Sequence, residues 1–390
     1  MISIDYNHCT GCEACVQICS HNSISLSKGE FGFLYPEIDM NKCVNCRLCE
    51  KVCSINTPSS VPTNQKAYAT IHKDSTIVLS STSGGAFSGL ATAVLNKDGI
   101  VYGASMDDFI VQHIRIESIG DLNRLRGSKY VQSRIGCAFK NVEQDLKSGR
   151  EVLFSGTPCQ IAALRTYLGR TYDNLLSIDI ICHGVASQEY FTKYVNMIKN
   201  NYPDLKEIQF RSKEFSGWSC GSGAFIIRDQ INKELKKPFY SHRNYYYQYF
   251  LSGDIFRKSC YSCKYANLNR PGDITLGDFW GIEKMNPSFN TYNGCSLVIV
   301  NNENGQKAFE TISALNKIPV NIEFASKYNA QLTHPSPIRE TRKKRIEEFD
   351  NKTGAEIDAL YRAQNKIKIL KGDIKTLIPY RVKRILRKLM

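Results

Sequence analysis

The sequence predicts a mixed α+β and α/β chain in three parts, on three observations. Eight of the fifteen cysteines fall within the first 53 residues, in two runs of like spacing. Strand and helix patterns then alternate from Lys66 to about residue 204, and strand patterns crowd together over 205–320. From Asn321 the pattern is helical and basic. The expected division is a small domain over residues 1–56, a linker over 57–65, a principal domain over 66–320 with halves at 66–204 and 205–320, and a helical region over 321–390.

A length of 390 residues with 42% hydrophobic residues is enough for more than one core. The opening Met-Ile-Ser-Ile-Asp has neither the basic nor the apolar region of a secretory signal, and no apolar stretch is long enough to span a membrane. A cytoplasmic location is expected, where cysteines serve as metal ligands or redox groups rather than in disulfides. The net charge of +14 is uneven: residues 339–390 carry 16 Lys/Arg against 7 Asp/Glu, and the first 60 residues carry 4 against 6. A nucleic-acid-binding protein would not confine its charge to one end, so no nucleic-acid partner is expected.

"CTGCEACVQIC" (Cys9 to Cys19) and "CVNCRLCEKVC" (Cys43 to Cys53) both read C-x2-C-x2-C-x3-C. This is the bacterial-ferredoxin spacing, in which three cysteines of a run hold one 4Fe–4S cluster and the fourth ligates the other. Cys9, Cys12, Cys15 and Cys53 form one ligand set, and Cys43, Cys46, Cys49 and Cys19 the other. Zinc sites favour two CxxC pairs set further apart. Ser20 and Ser54 stand where a proline usually follows the fourth cysteine, which removes no ligand.

In the principal domain "KAYATIH", "IVYGASM", "EVLFSG" and "LLSIDIIC" read as strands, and "GGAFSGLATAVLNKDG", "CAFKNVEQDLKSG", "CQIAALRTYLG" and "SQEYFTKYVNMIKNNY" as helices. "EIQFRS", "AFIIRD", "DITLGDFWG" and "SLVIV" read as later strands of an antiparallel or mixed portion. Cys159 falls at a strand-to-helix turn, Cys182 at the end of the next strand, and Cys260 and Cys263 form "CYSC". Neighbouring parallel strands would bring Cys159 and Cys182 together, and the CxxC turn adds two sulfurs. This suits a third 4Fe–4S cluster. It equally suits a four-cysteine zinc site, a reactive thiol at Cys159, or four core cysteines. Cys137, Cys220 and Cys295 match no motif and read as core thiols.

"STSGGAFSGLA", "GSKYVQS", "GTPCQIAALR", "ICHG", "CYSCKYA" and "DITLGDFWG" resemble the beta subunits of coenzyme F420-dependent hydrogenases and dehydrogenases, over about Lys66 to Lys307. The resemblance implies a flavin-binding domain holding FAD and an iron–sulfur cluster on Cys159, Cys182, Cys260 and Cys263. The expected flavin residues are Ser83, Gly84 and Gly85 at a helix start, then Lys129, Tyr130, Gln132 and Ser133, then Gly156, Thr157 and Gln160 at a strand end. Lys129 would stabilise the charge of reduced flavin, Tyr130 would stack on its ring, and His183 would donate a proton. An ordinary glycine turn, a solvated lysine and a structural histidine are the plain readings of the same residues. Asp278 and Trp280 line the pocket or form a strand end and a core ring.

The leading functional expectation is an iron–sulfur flavoenzyme that takes electrons from reduced ferredoxin or a similar carrier and passes them through the clusters to FAD and an organic substrate. One alternative is an electron-relay subunit of a larger complex with F420 as acceptor; another is a non-redox zinc protein. The last twelve residues, "PYRVKRILRKLM", place Val382, Ile385, Leu386, Leu389 and Met390 on one helical face amid five cations. That face suits the protein's own core, a second subunit, or peripheral contact with a membrane surface.

Overall fold

The computed structural model describes residues 5–57, 64–219, 221–229, 233–285, 293–378 and 382. Most of the expected linker (58–63), Cys220 and all of the C-terminal dodecapeptide except Val382 lie outside them.

In the N-terminal domain, β1 (Ile24–Lys28) pairs antiparallel with β2 (Leu34–Ile38). Each cysteine run bends into a short helix, Ala14–Ile18 and Leu48–Lys51. The runs repeat backbone conformation as well as spacing. Gly11 and Asn45 precede the second cysteine of their runs, Glu13 and Arg47 follow it, and all four have φ between 58° and 64°. Left-handed residues on both sides curl the chain around the second cysteine, and the strain at the non-glycine positions persists only where the surroundings fix it.

Among the described residues the principal domain is built on eight strands: β3 (Lys66–His72), β4 (Ile100–Asp107), β5 (Ile110–Ile116), β6 (Val152–Gly156), β7 (Leu175–Ile180), β11 (Ile274–Asp278), β12 (Ser296–Val300) and β13 (Leu315–Val320), in the order β13-β3-β12-β11-β7-β6-β4-β5. The central β4, β6, β7 and β11 are parallel, and the flanking pairs are antiparallel. Buried side chains alternate between faces. Leu153 and Ile178 pack with helix Ala86–Leu95, whereas Val152 and Phe154 pack with helices Ala138–Lys147 and Pro158–Leu168. The expected strands and helices stand within a few residues of these bounds. β5 and β13, edge strands with weaker patterns, have no counterpart among them.

The expected division at 204/205 does not divide the sheet. Only β8 (Leu205–Gln209), β9 (Ser222–Arg228) and β10 (Glu234–Tyr240) form a separate three-stranded sheet. β11 to β13 return to the main one, so 205–240 is an excursion rather than a second half. After β13 the chain is helical, with helices Thr341–Asn351, Gly354–Gln364 and Lys366–Leu377.

The N-terminal domain is locked onto the principal domain by polar contacts. Glu13, 7% exposed, accepts from Arg134 Nε at 2.6 Å and from the Gly136 amide at 3.1 Å. Gln17 accepts from the Phe139 amide, Lys264 Nζ donates to the Ser54 and Thr57 carbonyls, and Ser187 donates to Phe31 O. Buried acceptors left unmet would each cost about 1–3 kcal/mol, so this set specifies one docked arrangement.

Candidate iron–sulfur centres and cavity

The eight N-terminal cysteines lie around two places. Burial pushes the Cys12 thiol up to about 12, and charge on Cys9 and Cys53 adds to the rise. Burial likewise raises Cys15, followed by Cys12, Cys9 and Cys53. These four thiols therefore lie near one another. Cys19, Cys43, Cys46 and Cys49 line another small hollow, with Cys46 exposed. At Cys19 burial raises the thiol, but hydrogen bonds from the Ser23 side chain and the amides of Ser23, His21 and Asn22 outweigh it and leave it below its ordinary value.

Cys159, Cys182, Cys260 and Cys263 also converge. The register pairs Gly156 with Asp179, so the C-terminal ends of β6 and β7 lie side by side. Cys159 follows the first, in the opening turn of helix Pro158–Leu168, and Cys182 follows the second. The short helix Lys258–Ser262 brings the CYSC turn to them. Burial raises Cys159 and Cys182 each to about 12, and Cys263 is the next cause in both. Cys260 is raised by burial and then by Cys182, Cys263 and Cys159. Asp179 and Arg270, both fully buried, hold the turn in place. Arg270 donates to Asp179 Oδ1 and to the carbonyls of Tyr265 and Ile180, and Asp179 Oδ2 accepts from the Gly272 amide at 2.8 Å.

The Cys9 set and the third set are thiol groups in which burial and each neighbouring negative charge disfavour the next. A cationic iron core would remove that conflict. Among the described residues no three His, Cys, Asp or Glu side chains converge on a point that would hold a single ion.

Arg257 had no signal in the sequence. It is 1% exposed. Its guanidinium donates to Cys9 O at 2.7 Å, Leu34 O at 2.8 Å and Gln132 Oε1 at 3.1 Å, and Nη2 lies 3.7 Å from Cys9 Sγ. It stands over the Tyr35 ring at 4.2 Å and lies only three residues before Cys260. Arg257 is thus a fixed cation between the Cys9 set and the third set. Tyr265 borders both: charge on Cys159, Cys12 and Cys263 raises its phenol after burial does. The Cys9 set is therefore proximal to the third set, and the Cys46 set is distal.

A cavity of about 760 Å³ opens at the C-terminal ends of β6, β7 and β11, and all four cysteines of the third set line it. Parallel sheets hold ligands at this edge. Ser83, Gly85, Lys129, Tyr130, Gln132, Ser133, Gly156, Thr157, Gln160 and His183 line it too, so the expected flavin residues are brought together. Gly84 is not among them. A Cβ there would lie 2.2 Å from Thr70 O, so this glycine serves close packing on the sheet.

Several expected roles change. Tyr130 lies parallel to Phe250 at 4.3 Å and against Phe210 and Tyr247, so its ring is committed to an aromatic cluster rather than offered to a ligand. Gln132 donates to Thr10 O and accepts from Arg257, which makes it a domain tie. Thr157 and Gln160 form the capping box of helix Pro158–Leu168, and Ser133 bonds His113 and Gln160. His183 is held at both ring nitrogens, Nε2 by Leu251 O and Nδ1 by Gln331, so the proton-donor role gives way to a structural one. Asp278 bonds Arg211 and Trp218, and Trp280 stacks on Trp218. Cys295 is a core thiol as expected, but Cys137 is exposed. Lys129 keeps its place: half-buried in the wall, it donates to the carbonyls of Arg124 and Arg126, and burial pushes its pKa down to about 8.

Residues 8–57 match the family model of a 4Fe–4S dicluster domain, and residues 149–321 match that of the C terminus of the coenzyme F420 hydrogenase/dehydrogenase beta subunit. The motifs at Cys159, Cys182, Cys260 and Asp278 fall inside the second match; those at Ser83 and Lys129 precede it. No curated protein matches the chain. Among solved structures, a chain of the xenon-derivatised F420-reducing [NiFe] hydrogenase complex from Methanosarcina barkeri is 14% identical, with a TM-score of 0.45 over 75% of this chain and 94% of that one. The chain therefore joins a segment that matches a 4Fe–4S dicluster domain to one that matches the C terminus of the coenzyme F420 hydrogenase/dehydrogenase beta subunit.

Proposed function

We propose that this chain is the iron–sulfur electron-relay subunit of a hydrogenase- or dehydrogenase-like assembly, with a third 4Fe–4S cluster on Cys159, Cys182, Cys260 and Cys263 and FAD in the cavity. The observation that carries this is the gathering of those four cysteines, from three separate stretches of chain, on the wall of a 760 Å³ cavity beside the dicluster domain. The volume lies toward the upper end of ligand pockets, about 300–1,000 Å³. When bound, the clusters supply one-electron transfer and the flavin couples it to two-electron chemistry. The chain's own part is to order the centres and fix their surroundings. Cys46 faces solvent at the distal end, where a carrier or neighbouring subunit would dock. Arg257 places a cation at the proximal set. Lys129 supplies the cavity with a charge that is lost as pH rises through about 8.

Anaerobic isolation of the full chain should give about twelve iron atoms, three clusters of four. About eight would remove the third set. Released FAD should be found on denaturation, and Lys129→Met should lower its retention with iron unchanged. Because Lys129 loses its charge as pH rises through about 8, wild-type retention should weaken above that pH and the variant should show no such step. A pH profile shared by both would clear Lys129 of the role. Co-isolation with larger subunits separates the relay from the self-contained ferredoxin-linked enzyme, which would turn over an organic substrate alone.

A further inference from the structure

Helix Lys366–Leu377 packs on the body by one face only. Gly372 lies against the His242 ring, which a Cβ would meet at 2.3 Å. Asp373, the single acid of this helix, is drawn inward to Arg243 at 2.5 and 2.6 Å and to His242 at 2.9 Å. Those partners hold its carboxyl down at about 2. The opposite face carries Ile367, Leu370, Ile374 and Leu377, which are 72, 61, 56 and 82% exposed. At 3.6 residues per turn these four fall within an arc of about 80°. Lys371 and Lys375 border the arc on one side and Lys366 on the other, all exposed. Val382, beyond this helix, is 43% exposed.

An apolar stripe this open is uncommon on a soluble surface and calls for a cover. Its charge decides which. A second copy would set the same lysines against one another, with the one acid already committed to Arg243 and His242. A bilayer with anionic headgroups offers an apolar layer and counter-charge in one plane. The sequence beyond, "RVKRILRKLM", adds five cations and no acid. We infer that the outer face of helix Lys366–Leu377 is a docking surface for an anionic membrane. The stripe enters the headgroup boundary, and the flanking lysines meet lipid phosphates. No helix among the described residues is long and apolar enough to cross a membrane, so the association is peripheral.

The test is flotation of the intact chain with vesicles of phosphatidylglycerol or of phosphatidylcholine alone, at low and high salt. Wild type should float with the anionic vesicles at low salt, weaken at high salt and stay down with phosphatidylcholine. The double variant L370D/I374D should lose about tenfold or more in partitioning, with iron content and visible spectrum unchanged. A chain ending at Ile378 should retain part of the binding. Wild type that does not float, a double variant that floats equally, or a shortened chain that loses all binding would each overturn the assignment. So would a wild-type dimer in sedimentation that the double variant breaks while neither floats, which would make the stripe a contact between copies.

Discussion

Cys12 and Cys46 hold equivalent places in runs of the same spacing, each followed by a left-handed residue, yet their surroundings are opposite. After Cys12 comes Glu13, buried and tied to Arg134 and the Gly136 amide; after Cys46 comes Arg47, whose side chain is 70% exposed and pairs with Glu50 at 2.8 Å. Cys12 packs against the core formed by Phe139, Phe154 and Leu164, whereas Val44 and Leu48 stand exposed beside Cys46. Local spacing chooses which cysteines share a centre. Docking onto the principal domain then makes one centre interior and the other a surface, which gives a symmetric motif a direction.

The largest break in this comparison is ligand removal. Cys12→Ser and Cys46→Ser should each cost about four irons. The first should also loosen the domain interface and lower the melting temperature by about 5–10 °C, and the second by about 2 °C or less. Equal losses would mean that burial does not distinguish the two centres. Arg257→Met comes next. It strands the Cys9 and Leu34 carbonyls, at about 3 kcal/mol, and removes the cation near Cys9 Sγ. The proximal centre should become harder to reduce in an EPR-monitored titration while the distal one stays put, and Arg257→Lys should recover part of the shift. A potential that ignores all three residues at position 257 would sink this role.

Glu13→Gln is milder. It keeps one acceptor oxygen, sets an amide NH2 against the donors on the other side and loses the charge opposite Arg134, so thermal or denaturant unfolding should report about 2 kcal/mol. Arg47→Ala, the counterpart on the exposed run, should leave the melting temperature within about 1 °C, as solvent-facing pairs generally do.

What the sequence made legible divides along the same line. The dicluster ligands could be read because their chemistry is local: four sulfurs in eleven residues have few other purposes. The alternating strands and helices were legible by period. The third set was legible only as a coincidence of positions, since Cys159 and Cys182 meet through the pairing of β6 with β7 and the CYSC turn arrives after an excursion through a separate sheet. Gln132, Tyr130 and His183 misled because a polar or aromatic residue in a motif looks alike whether it faces a ligand or a neighbour. Arg257 and the Asp179–Arg270 pair carried no pattern at all. Each buried charge here is paired across the chain, Arg270 with Asp179 and Arg257 with Cys9 O, at separations that no local pattern spans.

The shared wall of the cavity sets how the protein fails in air. The four cysteines of the third set line the same space as Lys129 and Gly156, so whatever fills it also shields their sulfurs from dissolved oxygen. Emptying the cavity would open the third set to oxidation, whereas the distal set, with Cys46 already facing solvent, would be unaffected by it. Under the proposed function, bleaching should then follow flavin loss in time, and added flavin should lengthen the working life of the iron.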